Sequence, residues 1–289
     1  MTDTLRAAYR TMRTIRAFEE RVRAEFATGE IPGSMQLHAG EEASVAGVCA
    51  HLGDRDAIAG SHRGHSIAKG VDVKGMMAEV YGRRTGSCHG KGGSTHIADL
   101  SKGVLGAGPP LICGTALAAK QQDTGGVGVS FSSESNQGTT LEALNLAAAW
   151  TLPAIFVAEN NGYAEATSSS WSVASDNIAD RAAGFGVPGV IVDGFDFFAV
   201  HEAAGEAIER AREGGGPTLI EVKFTRYQRG LDCLAWFRAR VTESGELPGI
   251  VLDDIDAEVA KLVEDAVAEA KAAPKPTRAD LETDVYASY

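Results

Sequence analysis

Residues Thr139–Thr167 read TTLEALNLAAAWTLPAIFVAENNGYAEAT, and the fold class is decided in that stretch. Thr139 can cap a helix, and Glu142 three residues later completes a capping box. Pro153 then leads into Ala154–Ala158, a continuous apolar run suited to a strand covered on both faces. The polar pair Asn160–Asn161 falls where that strand would end. Open parallel sheets bind ligands beyond the carboxyl ends of their strands. Side-chain amides placed there can ligate a hard cation or orient a phosphate, although an Asn-Asn pair is also an ordinary turn former.

Working outward, helices and strands alternate. Val127–Phe131 is a short strand, Asn177–Phe185 is helical, and Val190–Val192 is a strand. Ala199–Arg212 is a helix ended by Gly214–Gly216, and Thr218–Phe224 is a further strand. This spacing predicts an α/β fold with a doubly wound parallel sheet. Upstream, Leu5, Tyr9, Met12, Ile15, Phe18, Val22 and Phe26 recur every three or four residues before Gly29, the pattern of an amphipathic helix with its stop. Glu41–Leu52 reads as a second helix and Gly75–Tyr81 as part of another. Residues 82–110 are Gly-rich and polar, too long for a plain connector, and such loops are usually functional. Asp254–Ala273 is a helix stopped by Pro274. With no repeat and no flexible linker, the expectation is one domain over 1–289. It has N-terminal helices (1–52), an α/β core (53–230) and a helical C-terminal extension (231–289).

Composition narrows the function. The 289 residues are 44% hydrophobic and 23% charged, ordinary values for a globular protein. A formal charge of −12 argues against nucleic acid or an anionic membrane as partner. No apolar run approaches the roughly 18 residues of a membrane span. The N-terminus lacks an apolar signal core, and Asp3, Glu19 and Glu20 spoil a transit-peptide reading. Cys49, Cys88, Cys113 and Cys233 are scattered with no CxxC pair, which points to reduced thiols and a cytoplasmic protein.

Two strand ends are candidates for chemistry: the segment after Phe131 and Glu159–Tyr163. Magnesium beside a diphosphate wants a carboxylate, an amide and a backbone carbonyl, because it is a hard ion with oxygen ligands. Glu134, Asn161 and the carbonyl of Tyr163 could supply that set. Gly184–Gly189 fits a G-x-G-x-x-G spelling but precedes a strand, so a dinucleotide reading fails on order. His62 with His65, or Cys88 with His89 and His96, lack a complete zinc-ligand spacing. No Ser/His/Asp arrangement stands out.

From Tyr9 to about Arg226 and again near the C-terminus, the chain resembles a known family. The segments that carry the likeness include IRAFEE, GEEASVAGVCAHL, HRGH, IAKGVDVKGMMAEVYGRRTGSCHGKGGS, PLICGTALAAK, NQG, EALNLAAAWTLPAIFVAENNGYAEAT, PGVIVDG, GPTLIEVK and LETDVY. They are similar to the alpha subunit of the thiamine-diphosphate-dependent decarboxylase component of 2-oxo acid dehydrogenase complexes, with the acetoin dehydrogenase branch nearest. The resemblance implies a fold like the diphosphate-binding domain of those enzymes, with thiamine diphosphate and Mg²⁺ as cofactors. Asn161 and the Tyr163 carbonyl would ligate Mg²⁺, with Glu134 in the place of the usual Asp. His62, Arg63, Ser135 and Arg226 would lie along the cofactor, the arginines on its diphosphate. Gln36 stands where relatives usually have an active-site His, and it and His65 are the candidates for catalysis.

The implied reaction is oxidoreductive. Acetoin is cleaved, or pyruvate or another 2-oxo acid decarboxylated, and the acyl fragment passes to a lipoyl-bearing acyltransferase. A beta subunit would complete an α2β2 heterotetramer. Four departures cluster at this pocket. Ser133-Glu134-Ser135 stands for Gly-Asp-Gly, VLGAG runs directly into PPLICG, HRGHSIAKG is short, and a long loop with a Gly-His pair is missing after Arg226-Tyr227. They fit a working subunit with a compact site, a cofactor-poor non-catalytic paralogue or loop-deleted form, or a sequence from which loops are missing.

Overall fold

The computed structural model describes residues 2–33, 37–60, 63–93, 96, 104–132, 135–164, 166–224 and 232–283. In chain order its elements are α1 (Thr2–Ala27), α2 (Glu42–Cys49), β1 (Ala57–Ala59), α3 (Arg63–Ala68), α4 (Val73–Val80), α5 (Gly108–Gln121), β2 (Gly128–Ser132) and α6 (Gly138–Ala149). Then come β3 (Ala154–Asn160), β4 (Tyr163–Ala164), β5 (Thr167–Ser168), α7 (Ser169–Ser172), a 3₁₀ turn over Ala179–Phe185 and β6 (Gly189–Asp193). Finally α8 (Phe197–Arg212), β7 (Thr218–Lys223), α9 (Cys233–Glu243) and α10 (Gly249–Ala272) follow.

Five strands form one sheet in the order β1-β2-β3-β7-β6, every neighbouring pair parallel. The alternation read from the sequence therefore produces the expected doubly wound α/β architecture. β3 lies at its centre, and its apolar run is buried on both faces, as a strand between two helical layers requires. Because side chains alternate across a strand, Ile155 and Val157 pack with Val129, Phe131, Ile220 and Val222 against α2, α4, α8 and α10. Ala154, Phe156 and Ala158 pack with Leu219 against α5 and α6.

The amphipathic stripe of α1 is buried as its spacing predicts: Met12, Ile15, Phe18 and Val22 are fully enclosed. α10 is no appendage, since its Val263, Ala266, Val267 and Ala270 enter the same core cluster as the sheet. α9 is tied inward by Arg16, which binds Glu42 and Asp232 at once. No helix among the described residues is long and apolar enough to cross a membrane.

Three local readings change. The capping box at Thr139 does not form: the helix begins at Gly138 behind Gln137, with no side-chain cap. The Thr139 hydroxyl instead donates to the Gly106 carbonyl at 2.7 Å, stitching α6 to the turn before α5. The segment expected as a helix over 177–185 is a 3₁₀ turn from Ala179, closed by Gly186 in the left-handed region at φ 72°. The last helix starts at Gly249, five residues before the expected Asp254.

The Gly-rich loop after α4 is built around one side chain. Glu79, fully buried, accepts four backbone N–H groups: Cys88 and Gly90 at 2.8 Å on Oε2, Gly92 at 2.7 Å and Gly93 at 3.0 Å on Oε1. A Cβ on Gly92 would lie 1.8 Å from the His96 carbonyl oxygen, so the glycine there is required by close approach.

Candidate functional site

β2 and β3 are in register from Gly128↔Ala154 to Ser132↔Ala158, so the segments that follow them emerge side by side. Asn160 closes β3, and the next three residues turn away sharply. Gly162, at φ 80°, donates to the Asn160 side-chain oxygen at 3.0 Å, and Tyr163 N–H donates to that of Asn161 at 3.3 Å. The Asn pair thus performs the turn-forming duty and also holds amide oxygens at the strand end. Tyr163 is 43% exposed.

Alternation sends three consecutive residues to three places. Asn160 turns to the α6 side, where its amide donates to buried Glu221 at 2.7 Å. Asn161 stands at the tip, its amide 3.4 Å from the Glu41 carboxylate. Glu159 turns to the other face, 4% exposed, among groups that no local motif links to it. His65 Nε2 lies 3.1 and 3.3 Å from its two oxygens, His38 Nε2 lies 3.4 Å from Oε1, and the Ser44 hydroxyl donates to Oε1 at 3.4 Å. His38 also lies 3.6 Å from Glu41.

Both imidazoles are held by packing. His65 stacks on Phe131 at 4.5 Å with rings 16° apart, and tilts against His38 at 4.8 Å. Gly60 and Gly64 clear the space behind them, since a Cβ on either would come within 2.4 Å of a histidine Nδ1.

The electrostatics follow from enclosure. Burial alone would push His38 down, but the Glu159 carboxylate, with Glu41 and Glu19 behind it, overrides this and holds it up at about 9. Burial lowers His65, and Glu159 only partly opposes it. Burial would raise Glu159, yet the two histidines hold its carboxyl well below the ordinary range. The cluster thus favours the charged forms of His38 and Glu159 and the neutral form of His65. Next to this group Arg63, 5% exposed, gives its Nε and Nη2 to buried Glu19 at 3.1 and 2.8 Å, a bidentate fork. Glu19 also accepts the backbone N–H of His38 at 3.4 Å.

Of the residues singled out in the sequence, His65 and Arg63 sit on α3 and face inward. Asn161 and Tyr163 mark the end of β3, and Ser135 lies beyond β2. Its carbonyl accepts from Arg181 at 3.1 Å, and both line a slot with Ser130, Ser132 and Thr140 on the α6 side. Gln36, His62, Glu134 and Arg226 lie outside the described residues. His38, Glu41 and Arg181 were not picked out from sequence, and Glu159 only as the first residue of the candidate segment Glu159–Tyr163, with no role of its own. Glu159 had a signal, being the one charge inside AIFVAEN, a strand buried on both faces.

The described donors suit a magnesium–diphosphate pair in kind. Asn161 and Tyr163 offer hard oxygens at one strand end. Arg63 is oriented by Glu19, which takes its Nε and Nη2.

Comparison with known proteins identifies the family. The family model described as dehydrogenase E1 component matches residues 10–231. The chain is 56% identical to the alpha subunit of acetoin:2,6-dichlorophenolindophenol oxidoreductase from Cupriavidus necator, covering 99% of this chain and 95% of the relative. It is 48% identical to the subunit of the same name from Bacillus subtilis, over 97% and 93%. Against the pyruvate dehydrogenase E1 component subunit alpha of Rhizobium meliloti the identity is 36%, over 96% and 88%. The Cupriavidus match runs over 317 residues, 28 more than the 289 of this chain, so the relative carries additional residues within the matched span.

Proposed function

The chain belongs to the dehydrogenase E1 component family and is an oxidoreductase alpha subunit; from that premise we propose that it cleaves acetoin with thiamine diphosphate and Mg²⁺. The 56% identity to a subunit named for acetoin carries the substrate, and a similar name recurs at 48%. Relatives named for pyruvate stand at 36% and make that acid the second choice.

In this reading Asn161 and the Tyr163 carbonyl, with Glu134, hold the metal. Arg63 and Arg226 take the diphosphate, and His62 and Ser135 border it. When bound, thiamine diphosphate supplies the electron sink for breaking a carbon–carbon bond beside a carbonyl. The chain's own task is placement and charge neutralisation. Glu19 fixes the Arg63 fork, and the turn at Gly162 presents Asn161 and Tyr163 together. Gln36 and His65 are the candidates for catalysis. A beta subunit completes the site in an α2β2 assembly in the cytoplasm, and a lipoyl-bearing acyltransferase receives the two-carbon fragment.

Calorimetry on the chain mixed with its beta partner tests the cofactor. Saturable micromolar binding of thiamine diphosphate with Mg²⁺ is the expected result. No binding while the complex still forms would make the chain a non-catalytic scaffold. Reduction of dichlorophenolindophenol should be faster with acetoin than with pyruvate, and the reverse order would replace the substrate.

A further inference from the structure

We propose that His38, His65 and Glu159 form a binding site for a divalent transition ion of the zinc class, with Glu41 as the fourth ligand. Donor atoms of the two histidines and Glu159 all lie within 4.8 Å of one another, and all three residues are buried. Zinc bonds of about 2.0–2.2 Å in a tetrahedron place neighbouring donors about 3.3–3.6 Å apart. The separations around Glu159 come close to this, at 3.4 Å from His38 Nε2 and 3.1 and 3.3 Å from His65 Nε2, with 3.6 Å from His38 Nε2 to Glu41; a donor pair as wide as 4.8 Å would draw in on binding.

The same separations are long for hydrogen bonds to a charged group, which close to about 2.7–2.9 Å. A few ångströms away, the Arg63–Glu19 pair does close to 2.8 Å. His38 and His65 thus stand around Glu159 without closing to that distance.

The donors are also preorganised. Both rings are fixed with Nε2 toward Glu159 by the glycine gaps behind Nδ1 and by the Phe131 stack. Their chemistry selects the ion, since imidazole suits zinc, copper or nickel, whereas magnesium and calcium prefer all-oxygen sets. Charge closes once His38 gives up its proton to solvent on binding: two neutral imidazoles, two carboxylates and one divalent cation sum to zero. The Glu41 side chain is 21% exposed, which gives the buried cluster an edge toward solvent. Beyond the neighbours His38 and Glu41, these ligands lie far apart in sequence, so the local spacings of the zinc decoys could not find them.

The test uses the untagged full chain, stripped by a chelator and titrated with Co²⁺. The expected result is the intense visible spectrum of four-coordinate Co²⁺, saturating near one ion per chain and displaced by Zn²⁺ but not by Mg²⁺. His65→Gln and His38→Gln should weaken binding by more than the about 10- to 100-fold that loss of even an outer-shell partner costs. If those variants do not fold by circular dichroism, Glu41→Gln at the partly exposed edge carries the test, with loss of Co²⁺ affinity as the outcome in favour. Absence of a four-coordinate spectrum in the parent, or one that survives unchanged in the variants, overturns the site. The measurement needs neither thiamine diphosphate nor a beta subunit, so failure of the catalytic reading leaves it standing.

Discussion

Two buried carboxylates in this protein keep opposite company. Glu79 is surrounded by backbone: four N–H groups of residues 88–93 converge on its oxygens at 2.7–3.0 Å. Glu159 is surrounded by side chains, two imidazoles and a hydroxyl, at 3.1–3.4 Å. The first grip is tight and fixes a shape, since peptide groups have nowhere else to satisfy their hydrogen bonds. The second is loose and chemically versatile, since imidazoles can change protonation or bind a metal. A backbone clamp and a side-chain cluster thus use the same residue type with different partners.

The sharpest attack on this contrast is Glu79→Gln. Its amide would turn donors toward two N–H groups that need an acceptor, and each stranded buried donor costs about 1–3 kcal/mol. Urea denaturation should show a loss of about 2–5 kcal/mol, with proteolytic cleavage appearing in the 86–93 loop. A loss under about 1 kcal/mol would mean the loop is held by something else. Glu159→Gln should be milder in metal-stripped protein, at about 1–3 kcal/mol. An amide can accept from one neutral imidazole and donate to the other. Equal costs for the two substitutions would erase the distinction.

Proton linkage offers a subtler probe. His38 is raised to about 9, so the stability it contributes is complete below its ordinary value of 6.5 and is lost as pH rises through about 9. His65 is shifted down, so its contribution disappears as pH falls below 6.5. Denaturation midpoints of stripped protein should therefore decline from near neutrality toward pH 9. The slope should vanish in His38→Gln and persist in Glu79→Gln. A slope unaffected by His38→Gln would place the titrating group elsewhere. The smallest effect belongs to His89, exposed and held at φ 56° inside the clamped loop. His89→Gly relieves the left-handed cost at some price in unfolded-chain entropy, for a net gain of about 0.5 kcal/mol by thermal melting.

How much was legible beforehand follows the range of the interactions. The parallel sheet could be read because β3 opens on the apolar run Ala154–Ala158, because strands alternate with helices around it, and because the α1 stripe repeats over its whole length. The cap of α6 was misread because the Thr139 partner, Gly106, lies 33 residues upstream, beyond any local rule. β1 escaped notice because Ala57–Ala59 is too short to show a period. Glu79 left no trace because its partners are peptide N–H groups, which every residue but proline carries. The His38–His65–Glu159 cluster joins positions 94 and 121 residues apart, so only folding reveals it.

The alternation of β3 carries a consequence for how such a chain can diverge. Glu159 serves one layer, Asn160 the other and Asn161 the tip, so one inserted residue within Ala154–Asn160 would exchange every assignment at once. Each added loop residue, by contrast, costs little closure entropy. Length can drift at the margins by tens of residues while this heptapeptide keeps its frame, much as a ruler stays rigid while the cloth it measures is cut.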